Sequence, residues 1–202
     1  QTMTGGLRAE GASASSAGAS AEVGYSNAIV ALDAKTLQPK DWFTNRTTEF
    51  ITAPMVFRQG DRDVVASATR DGRIVLLDAR SLGGRNHSTP LHVFRVSTDA
   101  RTAFAPRALA MWQETPAPVV SPAAAAPQPA QTAGQTGVRW IVVPVGGQLR
   151  GLRVVDRGGR VTLQPGWTSR DLFNPIAPIV VNDVVFTASA GSPATPAVLY
   201  AI

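Results

Sequence analysis

The sequence predicts an all-β chain, a β-propeller segment of four-stranded antiparallel blades with about two complete blades and two partial ones. Three observations lead there. An Ala-Pro step enters an apolar strand three times, at Ala53-Pro54, Ala105-Pro106 and Ala177-Pro178. An apolar run ending in an acidic residue recurs. Ile29-Val30-Ala31-Leu32-Asp33-Ala34 and Ile74-Val75-Leu76-Leu77-Asp78-Ala79 are its clear copies, and Leu152-Arg153-Val154-Val155-Asp156 is a looser one. The clear copies begin 45 residues apart, a spacing that suits one four-stranded blade.

Composition agrees. The chain has 202 residues, 44% of them hydrophobic, enough for a sizeable core. Its 18 Gly and 15 Pro favour many short strands joined by turns. Cys is absent, which excludes disulfides and thiolate metal sites. No stretch approaches the roughly 20 apolar residues of a transmembrane span, and no signal peptide is visible after Gln1. The net charge of +5 is carried by arginine, since Lys35 and Lys40 are the only lysines. The arginines are scattered, often beside turns. They read as solvated turn charges, and a nucleic-acid partner is not expected.

Residues 1–25 read as a low-complexity loop of Gly, Ala and Ser, and residues 26–202 as a partial propeller domain. Residues 115–137, built of Pro, Ala, Gln and Thr, read as a disordered insertion between two strands of one blade. Around it the strands follow in order. Residues 28–43 supply the last two strands of a first blade. Ile51–Phe57, Val64–Ala68, Ile74–Leu77 and Leu91–Val96 form the second, with a hairpin at Asp71-Gly72 in which both positions take positive φ. Ala108–Gln113, Val138–Val145, Leu149–Val155 and Arg160–Leu163 form the third, turning at Gly146-Gly147 and Gly158-Gly159. Residues 176–202 give three strands of a fourth. A closed ring needs roughly four to eight blades, so the expectation is an internal piece of a longer protein whose remaining blades lie elsewhere.

Two stretches carry a family resemblance. Ala177-Pro178-Ile179-Val180-Val181-Asn182-Asp183-Val184-Val185-Phe186 resembles the start of a quinoprotein-type repeat, and so does Ala53-Pro54-Met55-Val56-Phe57 continuing through Asp63 to Ala79. The chain is similar in this way to the pyrroloquinoline quinone (PQQ) binding-like propeller proteins of bacteria, over about residues 26–112 and 138–202. The docking motif of the quinoprotein dehydrogenases, Ala-x-Asp-x-x-x-Gly-x-x-x-Trp, is matched by Ala31 and Asp33. Leu37 stands at the Gly position, and Trp42 comes one place late. In the next copy Asp78 matches, and Leu82 replaces the Gly. The adjacent cysteines that often lie near the quinone are missing.

Other chemistry finds little footing. His87 and His92 flank a Pro in a loop and lack the spacing and further ligands of a zinc site. No Gly-x-Ser-x-Gly elbow occurs, and the paired glycines read as turn residues. Propellers often bind ligands at the mouth of the central channel. The hairpin between a blade's second and third strands lies at that end, together with the link to the next blade. Here that end presents Thr52, Arg70, Asp71, Arg101, Arg170, Asp171 and Asn174. Arg70, Asp171 and Asn174 are the candidate cofactor-binding residues, since Arg forks onto carboxylates and Ca²⁺ takes oxygen ligands. Against that, Asp71 also reads as a turn former and Arg170-Asp171 as a solvated pair. Trp42, Trp112, Trp140 and Trp167 read as blade-packing residues. No residue is assigned as a catalytic base.

The resemblance implies a periplasmic or secreted quinoprotein oxidoreductase of the alcohol or sugar dehydrogenase type, with PQQ and calcium as cofactors. The alternative is a non-enzymatic propeller scaffold that holds envelope proteins. One prediction rests on composition alone. Deleting residues 115–137 leaves the thermal midpoint within about 2 °C, as expected of a segment that packs against nothing. Unfolding of the deletion variant in a circular dichroism melt refutes the loop assignment.

Overall fold

The structure, a computed structural model, describes residues 25–96, 104, 106–114 and 137–202. The loop expected at 1–25 and the insertion expected at 115–137 lie outside the described residues except for Tyr25 and Gly137, as do Arg101 and Ala105.

Each described strand pairs antiparallel with a neighbour in sequence. The first sheet holds β1 (Ala28–Leu32) and β2 (Pro39–Thr44). The second runs β3 (Met55–Gln59), β4 (Arg62–Thr69), β5 (Arg73–Asp78) and β6 (His92–Arg95), side by side in chain order. The third runs β7 (Ala110–Gln113), β8 (Arg139–Val145), β9 (Gln148–Arg157) and β10 (Arg160–Thr168). The fourth holds β11 (Ile179–Val181), β12 (Val184–Ser189) and β13 (Val198–Ala201). Among the described residues no helix is long and apolar enough to cross a membrane.

The period-2 alternation of the strands sends apolar residues to both faces, and three apolar layers result. Ile29 and Phe43 of the first sheet meet Val65, Val75 and Leu77 of the second. The other face of the second sheet, with Val64, Ala66, Ile74 and Leu76, meets Ile141, Val143, Leu152 and Val161 of the third. The opposite face of the third, with Ala110, Val142 and Leu149, meets Val185 of the fourth and Leu172 of the link before it. Ile74 to Leu77 is buried throughout, as a strand covered on both faces must be. Four antiparallel sheets stacked face to face in chain order make this part of a β-propeller, with two four-stranded blades between two partial ones.

Turn chemistry corrects two details. The hairpin at Asp71-Gly72 is a three-residue loop, Arg70-Asp71-Gly72, between the paired Thr69 and Arg73. Only Gly72 has positive φ, 81°. A three-residue loop needs one left-handed residue, at its third position, so Asp71 stays in ordinary backbone. The strand expected at Ile51–Phe57 begins only at Met55. Pro54 brings no N–H to a ladder, and the Thr52 carbonyl accepts the Ser67 hydroxyl at 3.0 Å.

The third sheet carries three of the tryptophans on the face toward the fourth. Trp112 lies directly opposite Trp140, with ring centroids 5.9 Å apart, and Trp167 is 6.4 Å from Trp112. Gly151 makes room for this cluster, because a Cβ there would lie 2.3 Å from the Trp167 ring. Gly151→Ala is therefore expected to destabilise the protein by about 1–3 kcal/mol in urea unfolding, an overpacking cost. Trp167→Leu in the same chain should recover part of that loss. Strict additivity of the two changes would show that the contact does not set the cost.

Candidate functional site

One end of the stack gathers the β4–β5 turn, the β8–β9 turn, the end of β6 and the links that follow β2 and β10. It is the end that sequence reasoning singled out, and it is rich in arginine. Arg46, Arg70, Arg73, Arg95, Arg150 and Arg170 lie there, against the carboxylates Glu49, Asp71 and Asp171. At the opposite end three ion pairs form, while Arg157 and Arg160 stand opposite one another on β9 and β10 with no carboxylate partner among the described contacts. Arg58 pairs with Asp63 at 3.6 Å, Arg62 with Asp78 at 3.5 Å and Lys40 with Asp33 at 3.3 Å.

The three candidate residues are each engaged separately. Arg70 forks onto Glu49, with Nε and Nη2 at 2.8 and 2.7 Å from Oε2, and both side chains are exposed. Exposed pairs of this kind contribute about 1 kcal/mol at most. Asp171 accepts a hydrogen bond from Gln148 Nε2 at 2.8 Å. It does not pair with Arg170, whose guanidinium lies 5.2 Å over the Tyr200 ring. Asn174 sits exposed in left-handed backbone at φ 47°, and its carbonyl accepts the Ala190 amide at 3.3 Å. Thr52 is buried, its hydroxyl accepting the Ala68 amide at 2.9 Å. Arg101 lies outside the described residues.

Asp71 belongs to its own hairpin. Burial works against its charge, but the Arg73 guanidinium and the Thr69 hydroxyl, at 2.7 Å, outweigh that and hold its carboxyl below the ordinary range. Its contribution to stability is thus present above the ordinary carboxylate pKa and is lost as pH falls through the lowered value.

Two clefts open between sheets. One, of about 250 Å³, lies between the first and second sheets and is lined by Phe43, Asn45, Arg46, Thr69, Arg73 and Ser88 among others. The other, of about 240 Å³, lies between the second and third sheets and includes Phe94, Arg95, Arg150, Pro165 and Trp167. Both have arginine in their walls, and neither wall includes a carboxylate. None of Arg70, Asp171 and Asn174 lines either one.

Sequence reasoning missed Arg73, Arg95 and Arg150. Arg73 and Arg95 are directly opposite one another on β5 and β6. Arg150 reaches from the third sheet to the Val96 carbonyl of the second at 2.5 Å. Their signal was present in the strand alternation, but only a strand register would have set Arg73 beside Arg95.

The two histidines serve separate interfaces. His87 stacks on Trp42, with centroids 3.7 Å apart, and its Nδ1 lies 3.1 Å from Asp41 Oδ1. His92, on β6, has its protonated form disfavoured by burial and by the charge of Arg160, an effect that the Leu163 backbone only partly offsets.

No protein-family model matches the chain, and no curated protein matches it. Among solved structures it is similar to two crystal structures of BBS1N in complex with ARL6DN, one soaked with mercury and one with lead. The first is 16% identical with a TM-score of 0.44, over 82% of this chain and 44% of that one. The second is 16% identical with a TM-score of 0.43, over 82% and 45%. The chain thus spans less than half the length of either.

Proposed function

We propose that the chain is part of a non-enzymatic propeller scaffold of the bacterial envelope, which uses its arginine-rich end to hold an acidic protein surface. The observation that carries this reading is the in-register pair Arg73 and Arg95. Like charges directly opposite one another on neighbouring strands are destabilising, and Asp71, on Arg73, is the one carboxylate bonded to either among the described contacts. Planar guanidinium forks suit carboxylates of a partner.

The quinoprotein reading, with PQQ and calcium in a periplasmic or secreted enzyme, draws its support from the sequence resemblance. The residues present do not fit that group. Arg70 is taken up by Glu49, Asp171 by Gln148, and neither lies in a cleft with Asn174. No step is assigned through the quinone.

A titration of the intact gene product with PQQ, with and without Ca²⁺, separates the two. No saturable binding and no alcohol-dependent dye reduction are expected. Tight binding with turnover replaces the scaffold by a dehydrogenase. Under the scaffold reading, the affinity of a captured envelope partner falls steeply between 50 and 200 mM salt, by about tenfold or more, and Arg95→Glu abolishes capture.

A further inference from the structure

The cleft of about 250 Å³ between the first and second sheets has a wall of two unlike parts. Phe43, Val75 and Val93 make one part apolar, and Phe43 and Val75 belong to the buried layer between the sheets. Asn45, Arg46, Arg73 and Ser88 supply donors to the other. These four come from three segments: the link after β2, the strand β5, and the loop between β5 and β6.

The donors are held in place with bonds to spare. Asp71 takes Nε and Nη2 of Arg73 and is itself held by the Thr69 hydroxyl at 2.7 Å, so Nη1 of Arg73 is left over. The Asn45 side-chain oxygen accepts the Thr47 amide at 3.2 Å and the Thr47 hydroxyl at 2.9 Å, while its Nδ2 has no partner among the described contacts. Ser88 donates its backbone amide to Asn86 Oδ1 at 3.1 Å, and its hydroxyl has no partner among the described contacts. Arg46 is exposed, and no carboxylate reaches it among the described contacts.

Charge decides which anion fits. Arg95 stands directly opposite Arg73, on the face of the sheet that carries Val75 and Val93. Side chains so placed start about 5 Å apart. Arg46, Arg73 and Arg95, less the Asp71 carboxylate, leave two positive charges around one cleft. A carboxylate brings a single negative charge and two oxygens in one plane. A phosphomonoester brings about 1.5 to 2 negative charges and three acceptor oxygens, which donors from three segments can meet. At about 30 Å³ for each water, the cleft has room for roughly eight, enough for a phosphate and a small apolar body.

We propose that this cleft binds a small phosphomonoester, its phosphate among Asn45, Arg46, Arg73 and Ser88 and its apolar body against Phe43, Val75 and Val93. The proposal rests on the cleft and not on the scaffold reading. Arg95 is common to both, so the variants chosen lie at Arg46 and Val93, and binding is read with no protein partner present. Phosphate binding and salt-dependent capture therefore fail independently.

Calorimetric titration of the intact gene product with phenyl phosphate, inorganic phosphate and benzoate, at about 150 mM salt, tests it. Phenyl phosphate should saturate with a Kd of about 1 mM or below, roughly tenfold tighter than either of the other two. No saturation up to about 10 mM overturns the proposal, and so does equal affinity for inorganic phosphate or benzoate. Arg46→Ala should weaken phenyl phosphate by about tenfold or more. Val93→Glu, which sets a carboxylate in the wall, should abolish binding. Arg58→Ala, at the opposite end of the stack, should change nothing. Unaltered affinity in Arg46→Ala or Val93→Glu overturns the proposal, as does an equal loss in Arg58→Ala. Should Val93→Glu not fold, Arg46→Ala carries the decision, since that side chain is exposed.

Discussion

Everything in this structure depends on strands that are apolar on both faces. β4 and β5 show why. Val64 and Ala66 point to the third sheet while Val65 points to the first, and all are buried. A sheet built this way cannot stand with one face in water, because each exposed side would forfeit about 25 cal/mol for every Å² of apolar surface. It must be sandwiched. The antiparallel ladder satisfies the backbone within each sheet, so the only remaining demand is cover on two sides. Serial stacking meets it, and each sheet becomes both guest and host.

Polar contacts then fix how one sheet sits on the next. At the first interface Asp41 accepts the Leu82 amide at 2.7 Å, and the Thr44 amide donates to the His87 carbonyl at 2.8 Å. Trp42 stacks on His87. The loop after β5 is thereby clamped to β2. The departures from the docking motif have a physical account here. Leu37 stands where glycine is expected and still adopts φ 58°. The turn retains the left-handed residue, held by the Leu37 amide on the Asp33 carbonyl at 2.8 Å. Asp33 caps the amides of Lys35 and Thr36, both at 3.0 Å, which together with Lys40 keeps its carboxyl below the usual range. In the second copy Leu82 is buried in the apolar layer, and the left-handed residue is Gly83 at φ 77°, one place later.

The architecture was legible because it rests on short-range signals. Apolar runs marked β4, β5, β8 and β12. Gly146-Gly147 and Gly158-Gly159 marked hairpins, and the 45-residue spacing marked the unit. The length of β10 was not legible. Its ladder continues to Thr168 past Pro165 through a register shift, and the sequence shows a Pro and a Gly where a strand should stop. The candidate site was legible only as an end of the stack. Arg70, Asp171 and Asn174 belong to that end, but their partners Glu49, Gln148 and Ala190 come from separate segments that no motif connects. Arg73 and Arg95 became neighbours only through the register of β5 and β6.

Register likewise decides which charges meet at each end of the stack. At the far end strand ends bring Asp63 to Arg58 and Asp78 to Arg62, whereas Asp156 accepts the Gly159 amide and Arg157 faces Arg160 across the β9–β10 ladder. At the arginine-rich end the carboxylates are used up close to home. Asp71 serves its own hairpin, Glu49 holds Arg70, and Asp171 orients Gln148. Arg95 and Arg150 then stand in the wall of a cleft between the second and third sheets, without a carboxylate in that wall. Moving an acid into the register position opposite Arg73 would have cost the fold nothing, since Arg95 is exposed and on the end strand of its sheet. On the proposed scaffold reading, a partner's carboxylates are the chemistry that would complete the Arg73–Arg95 pair.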